Sequence, residues 1–108
     1  MRYGSLHQRL IEAVLSSPGD TTPVLRRGAL ERAKGNRGAG DDLPQELARY
    51  VDTVARHAYK VTDADVAALQ HSGNSDDTLF EITVAAAVGA ALHRLERGLA
   101  ALRGEERD

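Results

Sequence analysis

The sequence predicts an all-α fold, and three observations carry that expectation. Hydrophobic residues make up 42% of the chain and aromatics only 4%, so the core must be built from Ala, Leu and Val, which favours helices. No segment alternates with a period of two for long enough to read as a strand. Finally, the stretch from Ser75 to Leu102 reads as one long Ala- and Leu-rich helix. Ser75 is a good N-cap there, and Asp76 and Asp77 place negative charge where the helix dipole is positive. With 108 residues the chain is expected to form one domain, 1–108. N-terminal helices and a Gly-rich loop would fill 1–40, and a helical core 44–103.

Taken in order, Ser5 can cap a first helix to about Leu15, with Leu6, Leu10, Ile11, Val14 and Leu15 on one face. Ser16-Ser17-Pro18-Gly19 stops it. Thr22-Pro23 opens a second helix, a capping hydroxyl followed by proline at the first helical position. Leu25, Ala29, Leu30 and Ala33 line its inner side, and Arg26, Arg27, Arg32 and Lys34 its outer side. Gly35 to Gly40 forms a loop. Pro44 starts the third helix with Asp41 or Asp42 as cap, and Leu47, Tyr50, Val51, Val54 and Ala58 make its apolar stripe. Thr62 caps a short fourth helix, Asp65 takes the capping-box position, Val66 and Leu69 anchor it, and Gly73 stops it. Tyr59 and Phe80 are expected to pack against this helix.

The fifth helix organises the rest. Apolar or small residues appear on every side from Leu79 to Leu92, which predicts burial all round. Beyond it the pattern narrows to Leu92, Leu95, Leu99 and Leu102, opposite Arg94, Glu96, Arg97 and Arg103. At ~1.5 Å per residue the helix would be roughly 40 Å long. A domain of about 100 residues has a radius of gyration near 13 Å, so the leucine stripe is expected to project and to seek a second copy of the chain. Gly89, in the Ala-rich run, is expected to permit close approach of a neighbouring helix.

Charge and composition narrow the function classes. Residues 1–37 hold seven Lys/Arg against three Asp/Glu, and residues 38–108 seven against thirteen, for a net −2. That balance, without aromatic interleaving, argues against nucleic acid as a partner. No run of about 18 apolar residues is present and MRYGSLHQRL lacks the apolar block of a secretory signal, so the expectation is a cytoplasmic protein with no membrane partner. The glycines at 35, 38 and 40 make no phosphate loop, because no strand precedes them and no Lys-Ser/Thr follows. The chain has no cysteine, which removes disulfides, thiolate catalysis and cysteine metal ligands together.

From Leu47 to Leu102 a helix ending in HAYKV, a short helix closed by glycine (VTDADVAALQHSGNS) and a long Ala-rich helix follow one another. This order resembles the carboxymuconolactone decarboxylase family and its alkylhydroperoxidase D-like (AhpD-like) members. Their signature is C-x-x-C followed by His, a helix ending in Gly, and a residue such as Ser that opens a long helix. With the glycine laid on Gly73, the resemblance puts the two cysteine positions at Ala58 and Val61, the histidine at Asp65, and the upstream proton-relay glutamate near Glu46. It implies an AhpD-like helical bundle. The dithiol mechanism needs one thiolate nucleophile and a second to resolve the sulfenic acid. Ala58 and Val61 carry no group able to do either, so thiol peroxidase chemistry is excluded by residue type.

Two functions from different classes follow. One is a non-redox AhpD-like domain acting as an oligomeric binding or accessory protein, with a small molecule as ligand. The other is a cofactor-independent acid–base enzyme of the decarboxylase type, which needs no metal or organic cofactor. Its candidates are Glu81, His57, His93, Asp65 and Glu46, with Tyr59, Lys60 and Asp63 beside them. Glu81 shares a face with Ala85, Val88 and Leu92, and His93 follows Ile82, Ala86 and Gly89. Either histidine could instead be a hydrogen-bonded structural group. With His71 they show no metal-ligand spacing, so no metal is expected. Convergence of Glu81, His57 and His93 on a cavity would favour the enzyme, and scattered positions the binding protein.

Overall fold

A computed structural model describes residues 2–16, 19, 21–36 and 43–104, with side chains from Gln8 onward. Among these residues there are five α-helices and no strand: α1 (Arg2–Ser16), α2 (Pro23–Ala33), α3 (Gln45–His57), α4 (Asp63–His71) and α5 (Asp76–Leu102). A single 3-10 turn, Ala58–Lys60, follows α3. The fold is all-α with a long C-terminal helix, as the sequence predicts. The longest dimension is 47 Å, and the 27 residues of α5 account for about 40 Å of it.

Local chemistry sets most of the helix ends. Thr22 accepts the Leu25 N–H at 3.2 Å, with Pro23 beginning α2. At α4 the capping box closes on both sides: Thr62 accepts from Asp65 N at 3.1 Å and Asp65 Oδ2 accepts from Thr62 N at 3.0 Å. Gly73, at φ +100, lets the chain leave α4, and Ser75 Oγ then accepts from Thr78 N at 3.1 Å to open α5. Two boundaries differ from expectation. Helix α1 begins at Arg2 rather than at Ser5. Pro44 is the N-cap of α3, with no side-chain cap bond, and Asp41 and Asp42 lie outside the described residues. The expected stop at Ser17-Pro18 and the loop residues 37–40 lie outside them too.

The main core is where α2, α3 and α5 meet, filled by Ala29, Leu30, Leu43, Ala48, Val51, Ile82, Ala85 and Ala86. Gly89 explains how closely α2 and α5 pack. A Cβ added there would stand 2.1 Å from the Leu30 carbonyl oxygen and 3.0 Å from the Ala33 Cβ. A second cluster, Leu47, Leu69 and Leu79, fastens α4 to α3 and α5.

Several side chains sit where sequence spacing did not put them. Arg26, expected outside, is only 5% exposed, because it continues the Ala29–Leu30–Ala33 face. Its guanidinium donates to the carbonyls of Val14 (2.9 Å) and Thr21 (3.4 Å), tying the end of α1 and the following connection to α2. Ala58 is exposed and has left the α3 stripe, since the chain turns into the 3-10 segment there. Leu10, Tyr59 and Phe80 are exposed, the last two by 80% and 69%, so neither aromatic packs under α4 as expected.

Helix α5 is not buried all round. Leu79, Ile82, Ala85, Ala86, Gly89, Ala90 and Leu92 face the core, while Phe80, Val84, Ala87 and Ala91 face outward. The expected leucine stripe splits: Leu92 is in the core, whereas Leu95 and Leu102 are exposed. An 18-residue window of α5 has mean hydropathy 1.3, enough on length and composition alone to cross a membrane, a test that the core helix of a soluble protein also passes. In the fold 39% of that window is buried, and its buried residues supply the core.

Candidate functional site

A groove of about 410 Å³ opens between α3 and α4. Glu46, Arg49, Tyr50 and Thr53 form its α3 wall, Val61 its end, and Asp65, Ala68, Leu69 and Ser72 its α4 wall. Three positions that the AhpD-like resemblance singled out, Glu46, Val61 and Asp65, therefore share one groove. Ala58 does not border it.

Most polar groups of the groove are committed within the fold. Thr53 Oγ1 donates to Arg49 O at 3.0 Å and Ser72 Oγ to Ala68 O at 3.1 Å, each one turn back on its own helix. Thr83 Oγ1 donates its one proton to Leu79 O at 2.6 Å, so the Tyr50 hydroxyl, 2.6 Å away, must be the donor to Thr83. Asp65 is held in its capping box. What the groove offers a ligand is the Glu46 carboxylate, the Arg49 guanidinium and an apolar floor of Tyr50, Val61 and Leu69. That set can bind and orient a small amphipathic molecule. Among the described residues that line the groove, no nucleophile is paired with a base.

The remaining candidates do not converge. Glu81 accepts from Thr21 N at 2.9 Å and from Thr21 Oγ1 at 2.6 Å, and its carboxylate lies where a side chain on Gly19 would otherwise sit. It anchors the connection between α1 and α2 to α5. His57 is exposed, its ring edge-on to Tyr59 with centroids 5.9 Å apart. His93 is exposed on another side, its ring 3.9 Å from the place a Cβ on Gly35 would take. His71 closes α4, and Lys60 and Asp63 are exposed at the turn before it. Among the described residues no three His, Asp or Glu side chains stand close enough together to hold a metal ion.

One cluster escaped the sequence altogether. A cleft of about 340 Å³ lies where the ends of α2 and α3 meet the middle of α5, bordered by Arg32, Asp52, Arg56, His93 and Arg94. Arg32 grips Asp52 through two bonds, Nε to Oδ1 at 2.8 Å and Nη2 to Oδ2 at 2.9 Å. That fork holds the Asp52 carboxyl below its usual range, helped by the Arg32 and Arg56 charges and opposed by partial burial. Arg94 Nη2 donates to Ala55 O at 3.2 Å. These residues lie on three helices, so no spacing along the chain announces them. Comparison with known protein families, curated proteins and solved structures finds no match for this chain.

Proposed function

We propose that the chain is a non-redox, AhpD-like helical binding module that assembles with a second copy of itself along α5. One observation carries the reading. Phe80, Val84, Ala87, Ala91, Leu95, Gly98 and Leu102 are all apolar and all exposed, and they form one stripe. Their spacing of 4-3-4-4-3-4 is two 11-residue repeats, ~3.67 residues per turn, close to that of a straight helix. The stripe thus stays on one side over roughly 33 Å.

The residue sizes point to the same occupant. An antiparallel copy related by a two-fold axis at Ala91 sets Phe80 beside Leu102, Val84 beside Gly98 and Leu95 beside Ala87. Ala91 then meets its own symmetry mate. Val84 and Leu95 thus each meet a small residue, which lets the helices approach closely about the two-fold axis, while Phe80 and Leu102 close the two ends of the isologous contact. The groove between α3 and α4 lies outside this stripe and is the place for a small ligand. The separation of Glu81, His57 and His93 favours binding over acid–base catalysis. The absence of any thiol at Ala58 and Val61 removes peroxidase turnover.

Light scattering of the full chain tests the assembly. The wild type is expected at a multiple of 11.6 kDa, and the Phe80→Glu/Leu95→Glu variant at the single-chain mass with its helical circular dichroism intact. A wild type that stays at the single-chain mass at ~0.1 mM, a concentration that reveals contacts weaker than micromolar, refutes the proposal. Recovery only in detergent micelles would replace the second copy by lipid.

A further inference from the structure

We propose that the cleft framed by Arg32, Arg56, His93 and Arg94 is a binding site for a small phosphate-bearing anion. It is independent of the α5 stripe and of the groove between α3 and α4. Three guanidiniums and one carboxylate border the cleft, and Asp52 is already gripped by the fork from Arg32. Among the described residues that border the cleft, Asp52 is the one carboxylate beside Arg56 and Arg94.

The geometry suits an oxyanion. Arg32 is fixed by its fork and Arg94 by the Ala55 carbonyl, so little side-chain freedom is lost when a ligand arrives. A guanidinium carries five donor hydrogens, and Arg94 spends one of the two on Nη2 on Ala55, which leaves one two-hydrogen edge for a ligand. Its planar edge matches two phosphate oxygens at once, which a lysine could not do. The floor of the cleft is made of small residues, Ala33, Gly35, Ala55 and Ala90, and leaves about 340 Å³. Gly35, whose φ of +98 disfavours a side chain, brings the end of α2 to the His93 side of the cleft. A long nucleic acid is a poor occupant, because the chain as a whole is negative and a cleft of this size takes a single headgroup.

Titration of the full chain with inorganic pyrophosphate at constant ionic strength, followed by amide chemical shifts, tests the site. Saturable shifts are expected at Arg56, His93 and Arg94. The Arg56→Gln/Arg94→Gln variant should weaken binding by at least ~10-fold, since hydrogen bonds to charged groups are lost. Arg56→Gln alone, at an exposed position, should weaken it by roughly 3-fold even if the double variant fails to fold. Arg27→Gln, which does not border the cleft, should change binding by less than about 2-fold. Shifts that do not saturate, or equal affinity in wild type and Arg56→Gln, overturn the proposal. So does tighter binding of malonate than of pyrophosphate, which would assign the cleft to dicarboxylates.

Discussion

Replacing Gly89 by Ala sets helix propensity against packing, and the structure decides which wins. In an exposed helix the change would add about 1 kcal/mol of stability. Here the new methyl would lie 2.1 Å from the Leu30 carbonyl oxygen, and that oxygen already accepts the Lys34 N–H at 2.9 Å. The obstacle is backbone, so no rotamer change relieves it. Helix α2 must retreat from α5 by about 1 Å, which loosens the contacts that fill the core around Leu30 and Ile82. Overpacking of this kind costs about 3 kcal/mol, leaving a net loss of about 2 kcal/mol. For a domain of this size that lowers Tm by roughly 10 °C. Gly98→Ala in the Phe80→Glu/Leu95→Glu background is the control, because nothing in its own chain lies within 4 Å of the added methyl and no second copy covers it there, and it should raise Tm by about 4 °C. Both are read by thermal circular dichroism at one protein concentration, since self-association would make Tm concentration-dependent. If Gly89→Ala matches or exceeds the wild type, α2 does not approach α5 as described.

Two further outcomes follow from named bonds. Glu81→Ala strips the buried Thr21 N–H and hydroxyl of their shared acceptor and should cost about 3 kcal/mol in urea unfolding, with Glu81→Gln milder; equal stability would mean that Glu81 does not anchor the α1–α2 connection. Asp52 has its folded-state pKa lowered by Arg32, so its contribution is full above the unfolded value of about 3.9 and is lost as pH falls through the lower folded value. Asp52→Asn should therefore be less stable than the wild type at pH 7, and the two should converge at the acid end of a pH series of urea melts. The pair is one-third exposed, so the gap at pH 7 should be at most about 1 kcal/mol, and a gap that persists undiminished below the acid transition refutes the linkage.

The helices and their ends were legible in the chain because they depend on neighbours in sequence. Thr22-Pro23, the Thr62–Asp65 box, Gly73 and Ser75 act over three or four residues, and each works as its chemistry dictates. The missing thiols at Ala58 and Val61 were equally plain, since residue type alone excludes that chemistry. Periodicity was less informative on α5. A helix that is apolar on all sides gives no sign of which side its neighbours take, and only packing showed Ile82 and Ala86 inward with Phe80 and Leu95 outward. Arg26 shows the opposite case, a charge on a core-facing row that is accommodated because carbonyls of Val14 and Thr21 lie within reach. Glu46, Val61 and Asp65 came together in a groove because α4 folds back against α3. Glu81, His57 and His93 were separated because Glu81 and His93 lie twelve residues, roughly 18 Å, apart along α5 and His57 closes α3. The chain alone determined which segments are helical, where they stop and which chemistry is barred. Tertiary structure decided which faces are covered and which charges meet, because those depend on distances between residues up to sixty positions apart.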